Sequence, residues 1–156
     1  MHDSLKQRIR QLGLELPEPS QPAANYLNQV RSQNLLFISG QIPLQQGRPV
    51  LLGRLGESLS PEQGAEAAEL AALGLLAQLG AALDDDLAQL QRIDRLGVFI
   101  AASGDFQDHS TVANGASNLL VNALGEKGRH ARTAVGVASL PAGVAVEVDA
   151  IFELRP

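Results

Sequence analysis

From Val144 to Leu154 the chain alternates with a period of two. Val144, Val146, Val148, Ala150, Phe152 and Leu154 share one side, and Ala145, Glu147, Asp149, Ile151 and Glu153 share the other. That period predicts a strand with one apolar face. Two shorter apolar runs, Asn34 to Gly40 and Arg95 to Ala101, read as strands buried on both faces. Weaker strand signals lie at Asn25 to Val30 and Pro49 to Leu52. Between them, Gln41 to Pro49 reads as a turn region, and Gly53 to Leu59 follows as a loop.

The helical periods are equally legible. Ser60-Pro61-Glu62-Gln63 combines an N-cap serine, a first-turn proline and a capping-box glutamine. The helix it starts runs to about Leu83, with Ala65, Ala68, Ala72, Leu76, Leu79 and Leu83 on one face. So many alanines predict close approach to a neighbour. A second helix lies within Asp105 to Gly125, with Val112, Ala116, Leu119 and Ala123 on its apolar side, Asp108 as N-cap and Gly125 as stop. Asn114 and Gly115 are poor helix formers in its first half, so something besides propensity keeps them there. Leu5, Ile9 and Leu12 predict a short N-terminal amphipathic helix over Asp3 to Leu14, followed by a linker with Pro17, Pro19 and Pro22.

This order predicts an α+β fold: one mixed sheet with two main helices on one face, plus the short N-terminal helix. Two helices cover one side only. Val135, Val137 and the two apolar runs leave hydrophobic surface on the other, which predicts a second copy of the chain against it and binding sites in the clefts between copies.

Composition narrows the function. The 156 residues carry 12 basic and 17 acidic side chains, a net charge of −5, and the basic ones form no run. A nucleic-acid footprint is therefore not expected. The chain has no cysteine, which excludes disulfides, thiolate nucleophiles and cysteine-held metals, and fits a cytoplasmic protein. The N-terminal residues show no apolar signal region, and no stretch approaches the ~20 apolar residues of a membrane span. Asp84-Asp85-Asp86 reads as a solvated turn rather than a metal site, because no further ligand spacing accompanies it.

The stretch from Arg129 to Leu154 carries the candidate chemistry. It reads as strand, tight turn, strand, placing Arg132 and Glu147 on two paired strands as one wall of a site. An arginine fork suits a carboxylate, and a half-buried glutamate can move a proton. On a strand His130 would share the side of Arg132 and add a second cation or an acid/base group.

These residues resemble the YjgF/RidA (reactive intermediate deaminase, endoribonuclease L-PSP-like) family in a long-form branch. The resemblance rests on Tyr26, on SGQIP at Ser39 to Pro43, on Asn114, on ARTAVGVASLP at Ala131 to Pro141 and on VEVDAI at Val146 to Ile151. It spans nearly the whole chain. It implies a single RidA-like domain over 1–156, with 1–16 as a helical extension and Gly53 to Leu59 as an added loop. It also implies a chorismate-mutase-like (bacillus-type) fold and a homotrimer with sites between subunits. The implied reaction is hydrolysis of reactive 2-imino and enamino acids to 2-keto acids and ammonia without a cofactor. By the same resemblance Arg132 holds the substrate carboxylate and Glu147 places or activates water. Tyr26, Ser39, Gly40 and Asn114 line the cleft, as does Ala134 through its backbone N–H. The cysteine common two residues after the arginine is Ala134 here, and the proline common before Ala-Arg is His130. A non-catalytic, carboxylate-binding regulatory protein is the alternative. A ribonuclease is disfavoured by the acidic charge, the scarcity of aromatic platforms and the lack of a catalytic histidine pair.

Overall fold

A computed structural model describes residues 2–156. Helix α1 covers Leu5–Gln11, α2 Pro61–Ala82 and α3 His109–Leu124. Strands β1 (Gln29–Ser32), β2 (Leu35–Gln41), β5 (Leu90–Ala101), β6 (Ala131–Val137) and β7 (Val146–Leu154) form one sheet in the order β1-β2-β7-β5-β6. Only β5 and β6 run parallel, and α3 is the crossover between them. Strands β3 (Leu44–Gln45) and β4 (Arg48–Pro49) make a small separate hairpin. Its turn residues Gln46 and Gly47 both have positive φ, as a tight two-residue hairpin requires. The hairpin stands where the sequence predicts a turn region followed by a strand at Pro49 to Leu52.

The predicted pairing of the last two strands does not occur. β6 pairs only with β5, and β7 lies on the other side of β5, between it and β2. The connection from Val137 to Val146 is not a tight turn but passes the end of β5, where Ala101 donates its amide to the Ala145 carbonyl. The first strand also falls later than the Asn25 to Val30 reading.

One face of the sheet is the core. Leu36, Ile38, Leu96, Val98, Ile100, Val146, Val148, Phe152 and Leu154 are buried beneath α2 and α3. The start of α2 is the predicted capping box: Ser60 Oγ accepts from the Gln63 amide at 3.2 Å, and Gln63 Oε1 accepts from the Ser60 amide at 2.9 Å. The alanines of α2 let it meet α3 closely. A Cβ on Gly115 would stand 2.0 Å from the Ala65 carbonyl oxygen, so glycine is needed there for the approach of two helix backbones. Helix α2 is also long and apolar enough to cross a membrane, but it is mostly buried inside this fold.

Helix α1 docks on the body of the fold. Leu5 and Ile9 are fully buried, and Asp85 holds the helix start by accepting from Ser4 Oγ at 2.5 Å and from the Lys6 amide at 2.9 Å. Asp86 caps the following turn by accepting from the Ala88 amide. Two of the three aspartates are thus hydrogen-bond acceptors for neighbouring backbone, and no group of three potential metal ligands occurs among the described residues.

The opposite face of the sheet is uncovered. Phe37 and Val135 are 41% and 40% exposed there. The two apolar runs are therefore buried on one face of the single chain, not on both.

Candidate functional site

Strand register decides which side chains meet. Arg132 pairs with Leu96 and Ala134 with Val98, so both lie on the helix side of the sheet. Glu147 pairs with Phe99, whose neighbour on β6 is Val135, so it lies on the uncovered side. Arg132 and Glu147 of one copy therefore do not form one wall. A residue offset of one reverses the side on which a strand residue projects, and the expected pairing of β6 with β7 had concealed that offset.

On the helix side, α3 receives Arg132. Its Nη1 donates to Asn114 Oδ1 at 2.9 Å and to Ser117 Oγ at 3.1 Å. Both bonds leave from one terminal nitrogen, and Nε and Nη2 meet no acceptor among the described residues. That leaves one edge of the fork able to take a carboxylate. Asn114 and Ser117 are three apart on a helix and so face the same way. Here is the reason a weak helix former sits at 114: its amide oxygen orients the arginine.

His130 joins this cluster, as its spacing from Arg132 predicts. Its Nδ1 lies 2.6 Å from the Gly128 carbonyl and its Nε2 2.9 Å from Ser117 Oγ. A carbonyl only accepts, so Nδ1 carries a proton and the neutral ring presents Nε2 as an acceptor to the Ser117 hydroxyl. Ser117, Val121, Arg129, His130 and Arg132 line an open cavity of ≈ 240 Å³. Ser117 is absent from the sequence-level candidates. Its spacing from Asn114 was the available signal, but an isolated serine on a helix carries none by type.

The uncovered side gathers the carboxylates. A Cβ on Gly40 would lie 2.2 Å from Glu147 Oε1, so the missing side chain makes room for that carboxylate. Ser39 holds the neighbouring segment: its Oγ donates to the Leu27 carbonyl at 2.7 Å, and its amide donates to Asn28. Tyr26, 44% exposed, borders the same segment, and its hydroxyl accepts from the Ala23 amide. Tyr26, Ser39, Gly40 and Glu147 thus belong to one region, separate from Asn114, His130, Arg132 and Ala134.

Asp149 also faces this side. Its Oδ1 is enclosed without a hydrogen bond, lies over Gly97, and has Arg95 Nη1 at 3.8 Å. Burial raises the Glu147 carboxyl above its ordinary value, and the Asp149 charge adds to this. Burial likewise raises Asp149, against the opposing pull of Arg95. A glutamate so placed holds a proton more readily than a solvated one, as acid/base work requires.

A second cavity of ≈ 380 Å³ lies at the start of α3, lined by Arg54, Ser103, Phe106, His109 and Gly136 among others. Arg54 is engaged there by Glu57 and the Ala102 carbonyl.

Comparison with known proteins agrees with these elements. Residues 6–153 match the family model described as "YjgF/chorismate_mutase-like, putative endoribonuclease". Protein TCP17 of Trypanosoma cruzi is 46% identical over 148 residues, which are 94% of this chain and 92% of that protein. The crystal structure of Atu1372 from Agrobacterium tumefaciens, a protein with unknown function, has a TM-score of 0.91 at 43% identity; the match covers 97% of this chain and 92% of that one. A structure from Shewanella oneidensis, titled a "putative endoribonuclease", has a TM-score of 0.92 at 32% identity, covering 97% and 99% of the two chains. With a conserved-length match of this extent and the mixed sheet with its helices on one face, the chain belongs to the YjgF/RidA family and has its chorismate-mutase-like fold.

Proposed function

We propose that the chain is an imine and enamine deaminase, hydrolysing reactive 2-imino and enamino acids to 2-keto acids and ammonia. The observation that carries this reading is the half-open Arg132 fork, oriented by Asn114 and Ser117 beside a cavity. An iminium carbon is already electrophilic. The site must hold the carboxylate, place water and move protons, and it needs no covalent help.

Arg132 and Glu147 project from opposite faces of one sheet, so the proposal requires Glu147 from a neighbouring copy. We propose a homotrimer in which the uncovered face of one copy, carrying Glu147, lies against the edge strand β6 of the next, beside its Arg132. Exposed Phe37 and Val135 on that face support this reading. The site then lies in a cleft between copies.

The test is ammonia release from 2-aminoacrylate generated in situ, with calorimetric titration of 2-ketobutyrate alongside. Faster hydrolysis by the wild type, lost in Arg132→Ala, is the expected result. Tight binding of the keto acid without any acceleration would instead identify a carboxylate-binding regulatory protein.

A further inference from the structure

The helix-side cluster contains a hydrogen-bond chain that carboxylate binding alone does not use. It runs from Gly128 O through His130 Nδ1 and Nε2 to Ser117 Oγ, which in turn accepts from Arg132 Nη1. Arginine cannot give up its proton, so the proton that can move along this chain is the one between His130 and Ser117. The two states of the ring present different hydroxyls. With neutral His130, Nε2 accepts, and the Ser117 hydrogen is committed to it. With protonated His130, Nε2 donates, and the Ser117 hydrogen turns towards the cavity where the free edge of Arg132 lies. The Gly128 carbonyl fixes the ring in both states, so the ring does not have to flip.

We propose that Ser117 is the proton donor to the departing nitrogen and that His130 supplies the proton through it. This rests on the imine-hydrolysis reading of the same site. In the first step the water oxygen bonds to the carbon of the protonated imine, and the water's proton passes to Glu147 of the neighbouring copy. The product is a neutral carbinolamine. In the second step the Ser117 hydrogen passes to the amino nitrogen while Ser117 Oγ takes the Nε2 proton of His130. The C–N bond then breaks with its electron pair on nitrogen, ammonia leaves, and the remaining hydroxyl proton goes to solvent as the carbonyl forms. His130, now neutral, regains a proton from solvent, and Glu147 releases to solvent the proton it took from water. Glu147 and His130 thus serve opposite ends of the reaction, one accepting and one donating.

The charged groups around His130 are few. Arg129 and Arg132 line its cavity. Glu126, on the turn before, pairs with Arg129 at 3.1 Å, and Lys127 donates to the Leu87 carbonyl. Arg95 on the adjacent strand projects to the other face and pairs with Asp149. Helix α3 presents only the uncharged Ser117 and Val121 to the cavity.

The experiment measures kcat against pH for imine hydrolysis, and 2-ketobutyrate affinity, in wild type, Ser117→Ala, Ser117→Thr and His130→Asn. General acid catalysis contributes on the order of 10²–10⁴ in rate, so Ser117→Ala should lose about 100-fold or more in kcat. Its keto-acid affinity should fall far less than its kcat, because Asn114 still orients Arg132. Ser117→Thr keeps a hydroxyl and should recover most of the rate. His130→Asn should be slow like Ser117→Ala, and its pH profile should differ from that of the wild type, because Nε2 no longer hands a proton to Ser117. Wild-type rates and an unchanged pH profile in Ser117→Ala would overturn the relay and leave the deaminase reading intact. A wild-type protein that hydrolyses no imine at any pH would overturn both.

Discussion

Arg132 and Glu147 stand on opposite faces of one sheet, two strands apart, with β5 between them. Each is built into its own surroundings: the arginine into the face of α3, the glutamate over Gly40. The two halves can therefore be disturbed one at a time.

On the proposed reading, Arg132 recognises a carboxylate through geometry as well as charge. Replacing it with lysine keeps the charge but removes the planar fork that reaches Asn114 and Ser117 while leaving an edge open. Charge-assisted hydrogen bonds are worth about 1.5–3 kcal/mol, so Arg132→Lys should weaken 2-ketobutyrate binding by roughly 10- to 100-fold. Calorimetric titration decides it; equal affinity would remove the fork from recognition.

Gly40 and Glu147 should respond as a pair. Gly40→Ala puts a methyl where the Glu147 carboxylate lies and must push it aside. A displacement near 1 Å in a catalytic group costs on the order of 100-fold. The rate of imine hydrolysis should fall by that factor, with keto-acid affinity at Arg132 little changed. Loss of both together would mean that the two regions are not separate.

Glu147 also carries a pH signature in stability. Burial and the Asp149 charge raise its carboxyl above the ordinary 4.5, so the folded chain keeps a proton that the unfolded chain releases. The favourable contribution is present below about pH 4.5 and is lost as pH rises through the folded-state value. Glu147→Gln avoids that loss. Thermal melts at matched protein concentration should place the variant's Tm above wild type at neutral pH, with the gap closing towards pH 4. A gap that widens on acidification would reverse the assignment.

Gly115 is set by the Ala65 carbonyl, 2.0 Å from where a Cβ would lie. Gly115→Ala must part α2 from α3. Overpacking of this kind costs about 1–3 kcal/mol, a Tm fall of roughly 2–10 °C for a chain of this size. An unchanged melt would show that the helices separate freely.

Much of this architecture is legible in the residues themselves. The capping box at Ser60, the alternation from Val146 to Leu154 and the fold class follow from local chemistry and period. What period cannot give is which strand lies next to which. Arg132 and Glu147 each sit in a readable strand, but their sides relative to one another depend on β5 lying between β6 and β7. Ser117 failed for a different reason. Its significance is relational, since a serine on α3 becomes informative only once His130 and Arg132 are known to converge on it. The aspartates at 84–86 show the same limit: a turn is predictable, but a clasp on a helix some eighty residues earlier is not.

The crossover from β5 through α3 to β6 has a consequence for how the molecule comes apart. Asn114, Ser117, His130 and Arg132 all lie on α3, at the entrance to β6 or within it, a short span of chain whose contacts close early and cost little loop entropy. Gly40 and Glu147 meet only when two strands more than a hundred residues apart have paired. Under mild denaturant the carboxylate region should therefore loosen while the arginine cluster still stands; on the proposed function, the partly opened molecule would still bind a keto acid but no longer hydrolyse its precursor.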